Sequence, residues 1–142
     1  MGCHFVIGTK VYVVIDNKCW SWDQTTNTWT AKASLPAHRR LNASAFAIKG
    51  KGYVGLGVDE DVEPFTLMKD WWEYDPNADT WTQKKNFPGA AREYAPAFAV
   101  GDFGYVCSGE KAADRRSHSN IRFLFIAKAY TNPSPFILKV KA

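Results

Sequence analysis

The strongest constraint on the fold is a duplication inside the chain. When the sequence is aligned with itself at an offset of 52 residues, positions 20–57 match positions 72–109 without a gap, and 16 of 38 positions are identical. A repeat of this length predicts an architecture built from similar units. The recurring positions include four pairs that we expect to be structural: Asp23 and Asp75, Trp29 and Trp81, Tyr53 and Tyr105, and Gly57 and Gly109.

A third, partial copy lies at the front of the chain. Residues 5–8 and 11–13 parallel residues 46–49 and 52–54 at an offset of 41, so the first copy lacks about 11 residues. The missing stretch corresponds to residues 58–65 of the second copy. A loop tolerates such a length change far better than a strand does, so we expect residues 58–65 to form a loop.

Each unit predicts four short strands and no helix. Turn-forming Gly, Pro and Asn residues separate short segments rich in aromatic and small apolar residues, which is typical of an antiparallel β meander. Four strands per repeat of about 50 residues indicate the blades of a β-propeller. The predicted strands are 43–48, 52–57, 70–75 and 81–85, with 95–100 and 104–109 in the next copy.

The pattern W-x-Y-D-P-x₃-T-W-T at 72–82, with F-P-x₃-R at 87–92 and G-Y-V at 104–106, resembles the kelch repeat. It looks most like the bacterial kelch proteins described as galactose-oxidase-like, over residues 5–109. The resemblance implies an all-β, kelch-type β-propeller fragment of four-stranded antiparallel blades. It also implies that the small-residue strand lies innermost and that the repeated Tyr and Trp residues pack between blades.

We therefore assign residues 1–109 to kelch blades, in units of about 5–57 and 58–109, which is about two and a half blades. Residues 110–142 form a divergent tail with two strand-like runs, 121–130 and 136–140. These runs either form the outer strands of the last blade or belong to unrelated sequence. Propellers close a ring of about four to eight blades. We expect the remaining blades to come from a longer parent chain or from self-association.

Composition excludes several classes of function. Residues 1–109 hold 11 Lys/Arg and 12 Asp/Glu, so the net charge of +4 comes from the tail and no basic stripe predicts nucleic-acid binding. No apolar run approaches the length of a membrane span. The three cysteines lack metal or disulfide spacing and the three histidines are scattered, so we expect no metal site and no cofactor. The first residues predict no secretory signal. If the source is bacterial, the family resemblance implies export, and residues 132–140 favour it because they resemble the opening of a secretion-sorting domain.

Candidate ligand-binding residues fall on one face. In an antiparallel blade the loops after the second strand share a face with the connections between blades, and we call this the loop face. It holds Arg40, Arg92 and Glu93 beside the innermost strands, acidic residues Asp59 and Asp61 in the variable loop, and Arg115 and Arg116 in the tail. The two repeated arginines either grip a carboxylate or acidic peptide, or bond carbonyl groups of the neighbouring blade. The acidic loop and the tail arginines are alternatively ordinary solvated loops.

The sequence favours a non-enzymatic scaffold whose loop face binds a protein or a glycan, because its regular positions are structural and its variation lies in the loops. We predict no catalytic residues in the chain itself. The alternative is a fragment of a propeller enzyme, galactose-oxidase-like or sialic-acid-epimerase-like, whose catalytic residues lie in other blades. Asp23 and Asp75 precede Trp29 and Trp81 in tight turns, where we expect them to accept backbone hydrogen bonds.

Overall fold

A computed structural model describes residues 2–111, 126–129 and 137–139. Within these residues the chain forms three successive four-stranded antiparallel sheets, which we call blades 1, 2 and 3. Blade 1 contains β1 (Cys3–Ile7), β2 (Lys10–Ile15), β3 (Lys18–Asp23) and β4 (Thr28–Lys32). Blade 2 contains β5 (Ser44–Ile48), β6 (Lys51–Gly55), β9 (Trp71–Asp75) and β10 (Thr80–Lys84). Blade 3 contains β11 (Ala97–Val100), β12 (Phe103–Val106), β13 (Ile126–Ala129) and β14 (Ile137–Lys139).

The blades repeat one packing unit on their two inner strands. In each blade a phenylalanine on the first strand pairs with a tyrosine directly opposite on the second, and the two rings stack. The ring centroids are 5.1, 5.2 and 5.5 Å apart for Phe5–Tyr12, Phe46–Tyr53 and Phe98–Tyr105. Such cross-strand aromatic pairs stabilise the sheet and fix its register.

The hydrophobic core lies between blades. β5 contacts both β1 and β11, so the first strand of each blade lies next to the first strand of its neighbours. The small residues of these strands permit the close approach that the resemblance implies. Ala45 and Ala47 of β5 pack against the core between blades 1 and 2, and Ala97 of β11 packs against the core between blades 2 and 3. Trp72 and Trp71 point to opposite faces of β9, as the alternation of a strand requires, and join different cores.

Two glycines allow the aromatic rings to cross between blades. The ring of Phe5 lies against Gly52 of blade 2, and the ring of Phe46 lies against Gly104 of blade 3; a Cβ atom at either glycine would overlap the ring. The recurrence of glycine at these two positions therefore has a steric cause.

The predicted strands are correct in order, but two details differ. The second strand of blade 2 ends at Gly55 instead of Gly57, because Leu56 has a left-handed backbone with φ 60° and turns the chain. Ser108 repeats this conformation in blade 3 with φ 55°. The expected loop after this strand contains a short hairpin, β7 (Val58–Asp59) paired with β8 (Thr66–Leu67).

Blade boundaries differ from the boundaries of the sequence units. The unit 58–109 combines the outer strands of blade 2 with the inner strands of blade 3, and the unit 5–57 holds blade 1 and the inner strands of blade 2, since blade 2 runs from Ser44 to Lys84. The described parts of the tail add two strands, β13 and β14, to β11 and β12. Blade 3 therefore has four strands, where repeat matching alone predicts half a blade.

The turn aspartates behave as predicted. Asp23 accepts hydrogen bonds from the backbone N–H and the hydroxyl of Thr25, at 2.9 and 2.6 Å, and Asp75 accepts the backbone N–H of Asn77 at 2.9 Å. In the described part of the chain, no helix is long and apolar enough to span a membrane.

Candidate functional site

The loop face forms as the strand order requires. Backbone bridges join Asp16 to Arg40, Leu41 to Val58, and Glu93 to Glu110, so each connection between blades lies beside a loop that follows a second strand. These bridges bring most of the sequence-predicted residues to one side of the molecule. Arg115 and Arg116 lie outside the described residues.

Arg40 is buried and bound within the chain. Its Nη1 and Nη2 atoms donate to the two carboxylate oxygens of Asp70 at 3.0 and 2.7 Å, and Nη1 also lies 3.3 Å from the carbonyl of Leu56. Burial acts to raise the pKa of Asp70, but the hydrogen bonds and charge of Arg40, with the indole N–H of Trp72, outweigh it and lower that pKa. Arg40 thus grips a carboxylate that belongs to its own blade.

Arg92 repeats part of this arrangement. It is also buried, and its Nη1 donates to the carbonyl of Ser108 at 2.6 Å, at the same repeat position as Leu56. Its Nε donates to the carbonyl of Ala90, and the guanidinium lies 4.9 Å above the ring of Phe87. The carbonyls of Leu56 and Ser108 follow the second strand of the blade whose innermost strand each arginine precedes, whereas one of the two sequence-based alternatives expected carbonyls of the neighbouring blade. These contacts fasten the start of the innermost strand to the end of the second strand.

Three residues that lie just before the innermost strands β5 and β11 form what we call the inner rim: Asn42, Glu93 and Tyr94. Glu93 is fully buried and accepts a hydrogen bond from Nδ2 of Asn42 at 2.8 Å, across the boundary between blades 2 and 3. The backbone N–H of Tyr94 donates to the carbonyl of Asn42 at 3.1 Å. Glu93 therefore fixes the position of the Asn42 side chain by this hydrogen bond and is itself shielded from solvent.

Tyr94 is the exposed member of the inner rim. The residue is 55% exposed to solvent, and its backbone is left-handed with φ 52°. Asn42 occupies the same repeat position with φ 55°. Asn adopts this conformation readily, whereas a tyrosine is strained there, and such strain concentrates at functional sites. Sequence reasoning missed Tyr94; the signal was a bulky aromatic residue at a repeat position where the other copy has Asn.

A second group of charges surrounds the hairpin. Arg39 donates to Asp16 at 3.0 Å and pairs with Asp61. The carboxylate of Asp59 accepts the backbone N–H of Asp61 at 3.0 Å, and its other oxygen lies 3.9 Å from Nδ1 of His38. The interpretation of the whole loop as solvated was wrong for Asp59, which is buried because the hairpin folds back on the connection between blades 1 and 2.

Cys3 and Cys19 are apolar core residues in blade 1. Burial raises the pKa of both Cys3 and Cys19 to about 12, which keeps them protonated, and burial also raises the pKa of the less buried Cys107. Within residues 2–111, 126–129 and 137–139, no group of three or more His, Cys, Asp or Glu side chains is placed to hold a metal ion.

Comparison with known proteins identifies the fold. The chain superposes on a solved structure described as the structure of YjhT with a TM-score of 0.82 and 16% sequence identity, covering 99% of this chain and 51% of that one. That structure is a kelch-type β-propeller. The chain is accordingly a partial kelch-type β-propeller, all-β and built of four-stranded antiparallel blades.

A curated relative is similar in sequence. N-acetylneuraminate epimerase 1 of Escherichia coli O6:H1 (strain CFT073) is 27% identical over 118 residues, which cover 79% of this chain and 30% of the relative. No family model matches the sequence. The chain thus spans about half of the solved neighbour and under a third of the curated relative.

Proposed function

We propose that the loop face of this chain binds a carbohydrate at the inner rim, with Tyr94 as the aromatic contact. The observation that supports the proposal most is the exposure of Tyr94 in a strained backbone conformation on the inner rim. A tyrosine ring presents an apolar face to sugar C–H groups and a hydroxyl for hydrogen bonding. The neighbouring amide of Asn42 supplies further polar groups on the same rim.

The inner-rim residues of this chain suit ligand binding better than acid–base catalysis. A general acid or base has to lie within hydrogen-bond reach of the reacting atom. Glu93 is the carboxylate of the inner rim, and it is buried beneath Asn42 and hydrogen-bonded to it. Arg40 and Arg92 are buried as well, and Arg40 binds Asp70 while Arg92 binds the carbonyl of Ser108. We therefore assign Tyr94 and Asn42 to ligand contact and Glu93 to positioning.

A second candidate is favoured by the sequence comparison. In this alternative the complete propeller is an epimerase acting on N-acetylneuraminate, as the name of the curated relative states for that protein. The present chain would then supply one wall of the site, and the catalytic groups would come from other blades. Both candidates place the sugar on the loop face.

Saturation-transfer NMR on the 142-residue chain tests the proposal. We expect transfer to the protons of N-acetylneuraminate, and a solution of an acidic peptide at the same concentration serves as the comparison. Transfer to the peptide alone would overturn the carbohydrate assignment. The interconversion of the epimers of N-acetylneuraminate, followed by ¹H NMR, tests the assignment of Glu93 to positioning: we expect an unchanged rate with bound sugar, and an accelerated rate would show that this chain itself carries catalytic groups.

A further inference from the structure

The outer faces of blades 1 and 3 lack a neighbouring blade among the described residues. The face of blade 1 that points away from blade 2 is the leading face, formed by Val6, Trp20 and Trp29, all exposed. The face of blade 3 that points away from blade 2 is the trailing face, formed by Phe98 and Val100. These two faces occupy opposite ends of the three-blade array.

Repeat positions show that both faces are built as interfaces. Phe46 and Ile48, on the corresponding face of blade 2, are 4% and 3% exposed because blade 3 covers them; their counterparts Phe98 and Val100 are 46% and 58% exposed. On the other side, Trp81 packs on the core shared with blade 1, whereas its counterpart Trp29 is 60% exposed.

The inner interface also shows which polar groups a neighbouring blade satisfies. The indole N–H of Trp81 donates to the carbonyl of Ala33 at 2.8 Å, and the backbone N–H of Ala33 donates to Asp79 at 3.0 Å. Asp79, with φ 52°, also accepts the hydroxyl of Tyr74. Asp79 and Trp81 of blade 2 therefore bind both backbone polar groups of Ala33, in the connection that follows blade 1, and we call these two residues the clamp.

Blade 1 has an asparagine and a tryptophan at the two clamp positions, and both lie on its leading face. Asn27 stands at the position of Asp79 with φ 53°, and it accepts the indole N–H of Trp22 at 3.2 Å as Asp79 accepts Tyr74. Trp29 stands at the position of Trp81. The leading face thus offers a hydrogen-bond donor and an acceptor in the arrangement that receives a peptide group from a preceding blade.

We propose that a second copy of the chain covers both faces, so that two copies close one ring head to tail. The trailing face of each copy then lies against the leading face of the other, and both interfaces of the ring are equivalent. The length of the solved neighbour favours this occupant, because the chain covers 51% of that propeller and two copies supply a complete set of blades. Ring closure also removes the open sheet faces and edges.

One position makes the new interface differ from the inner ones. Val11 stands where blade 2 has Gly52, on which the ring of Phe5 rests. The ring of Phe98 from the second copy has to lie over a valine instead of a glycine. The interface between copies is therefore looser than the interfaces within a copy, and dilution separates the copies without unfolding the blades.

Sedimentation velocity of the 142-residue chain over a range of concentrations tests the proposal. We expect a two-copy species of twice 16.0 kDa that dissociates on dilution. Trp29→Ala on the leading face and Val100→Asp on the trailing face shift each variant to the one-copy species with an unchanged circular dichroism spectrum. Val62→Asp, at an exposed apolar residue of the hairpin loop, is the matched control and keeps the two-copy species.

Mixing the two interface variants tests the head-to-tail arrangement. A pair of one Trp29→Ala copy and one Val100→Asp copy retains one intact interface, so the mixture associates although neither variant does alone. The proposal would be overturned if both variants associated as strongly as the wild type. It would also be overturned if the wild type were a one-copy species at every concentration, or if it formed an open-ended series of larger species. These readouts involve no ligand, so they are independent of the carbohydrate-binding proposal.

Discussion

Arg40 binds Asp70 through two hydrogen bonds of 3.0 and 2.7 Å, in a pair whose guanidinium is buried and whose carboxylate is partly exposed. The same arginine approaches the carbonyl of Leu56, the residue whose left-handed backbone ends β6. The pair thus holds together the start of the innermost strand, the end of the second strand and the start of the third. Its role in the fold explains why the arginine recurs.

Asp70→Asn should reduce the free energy of unfolding by about 2–3 kcal/mol at neutral pH, because it leaves a buried guanidinium without its counter-charge. The pKa of Asp70 is lowered in the folded chain, so the pair stabilises the fold above the pKa of the unfolded carboxyl and this stabilisation is lost as pH falls through the folded pKa. Urea titrations at a series of acidic pH values should therefore show the wild type and the variant converging.

Asp102→Asn is the control for this prediction. Asp102 pairs with Lys49 at 3.0 Å, but both side chains are more than half exposed. An exposed pair contributes little, so we expect a change of less than about 0.5 kcal/mol. Equal effects of the two substitutions would contradict the structural role of Arg40.

Trp81→Phe should destabilise the chain by about 1–2 kcal/mol, since it removes the partly buried hydrogen bond to the carbonyl of Ala33. Trp29→Phe, the same substitution at the counterpart position, should change the free energy of unfolding by less than about 0.5 kcal/mol at a dilution where copies are separate. Urea unfolding followed by circular dichroism measures both. A larger effect at Trp29 would show that the assignment of leading and buried faces is reversed.

The thiols should react at different rates in the folded chain. Cys3 and Cys19 are buried with pKa values raised to about 12, whereas Cys107 is partly exposed. Because the thiolate is the reactive form, iodoacetamide at pH 8 should modify Cys107 first and the other two only after unfolding. Mass spectrometry of peptides locates the label. Early modification of Cys3 would mean that the core between blades 1 and 2 opens readily.

Tyr94→Asn should stabilise the chain by about 1 kcal/mol, because asparagine tolerates the left-handed backbone that strains a tyrosine. The substitution reproduces the residue that the chain itself has at the equivalent position, Asn42. Thermal unfolding by calorimetry gives the direction. A lower midpoint temperature would show that the tyrosine ring makes packing contacts that outweigh its strain.

The repeat predicted the scaffold well because the repeated residues pack against other residues that also recur in the repeat. Phe46, Tyr53 and Trp81 each contact residues that the repeat supplies again in the next blade, so an alignment of the chain with itself finds them. The same logic fails for the outer strands of blade 3. By register, Ala127 and Ala129 stand where blade 2 has Trp72 and Tyr74, so no identity reveals those strands.

The candidate site was less predictable because it depends on contacts between different loops. From the sequence, Arg40 and Arg92 can either bind a ligand carboxylate or bond backbone carbonyls, and only the fold shows that they donate to Asp70 and to the carbonyl of Ser108. The burial of Asp59 likewise depends on the hairpin packing on the connection between blades 1 and 2. Tyr94 stands out only when its backbone conformation and exposure are known.

Isothermal titration of N-acetylneuraminate into the Tyr94→Phe and Tyr94→Asn variants tests the proposed site most directly. Tyr94→Phe keeps the ring, and we predict an affinity within about threefold of the wild type. Tyr94→Asn keeps the backbone but removes the ring, and an aromatic contact of about 1–1.5 kcal/mol predicts a loss of about tenfold. If Tyr94→Asn remained folded and bound the sugar as tightly as the wild type, the assignment of the inner rim as the binding site would be contradicted.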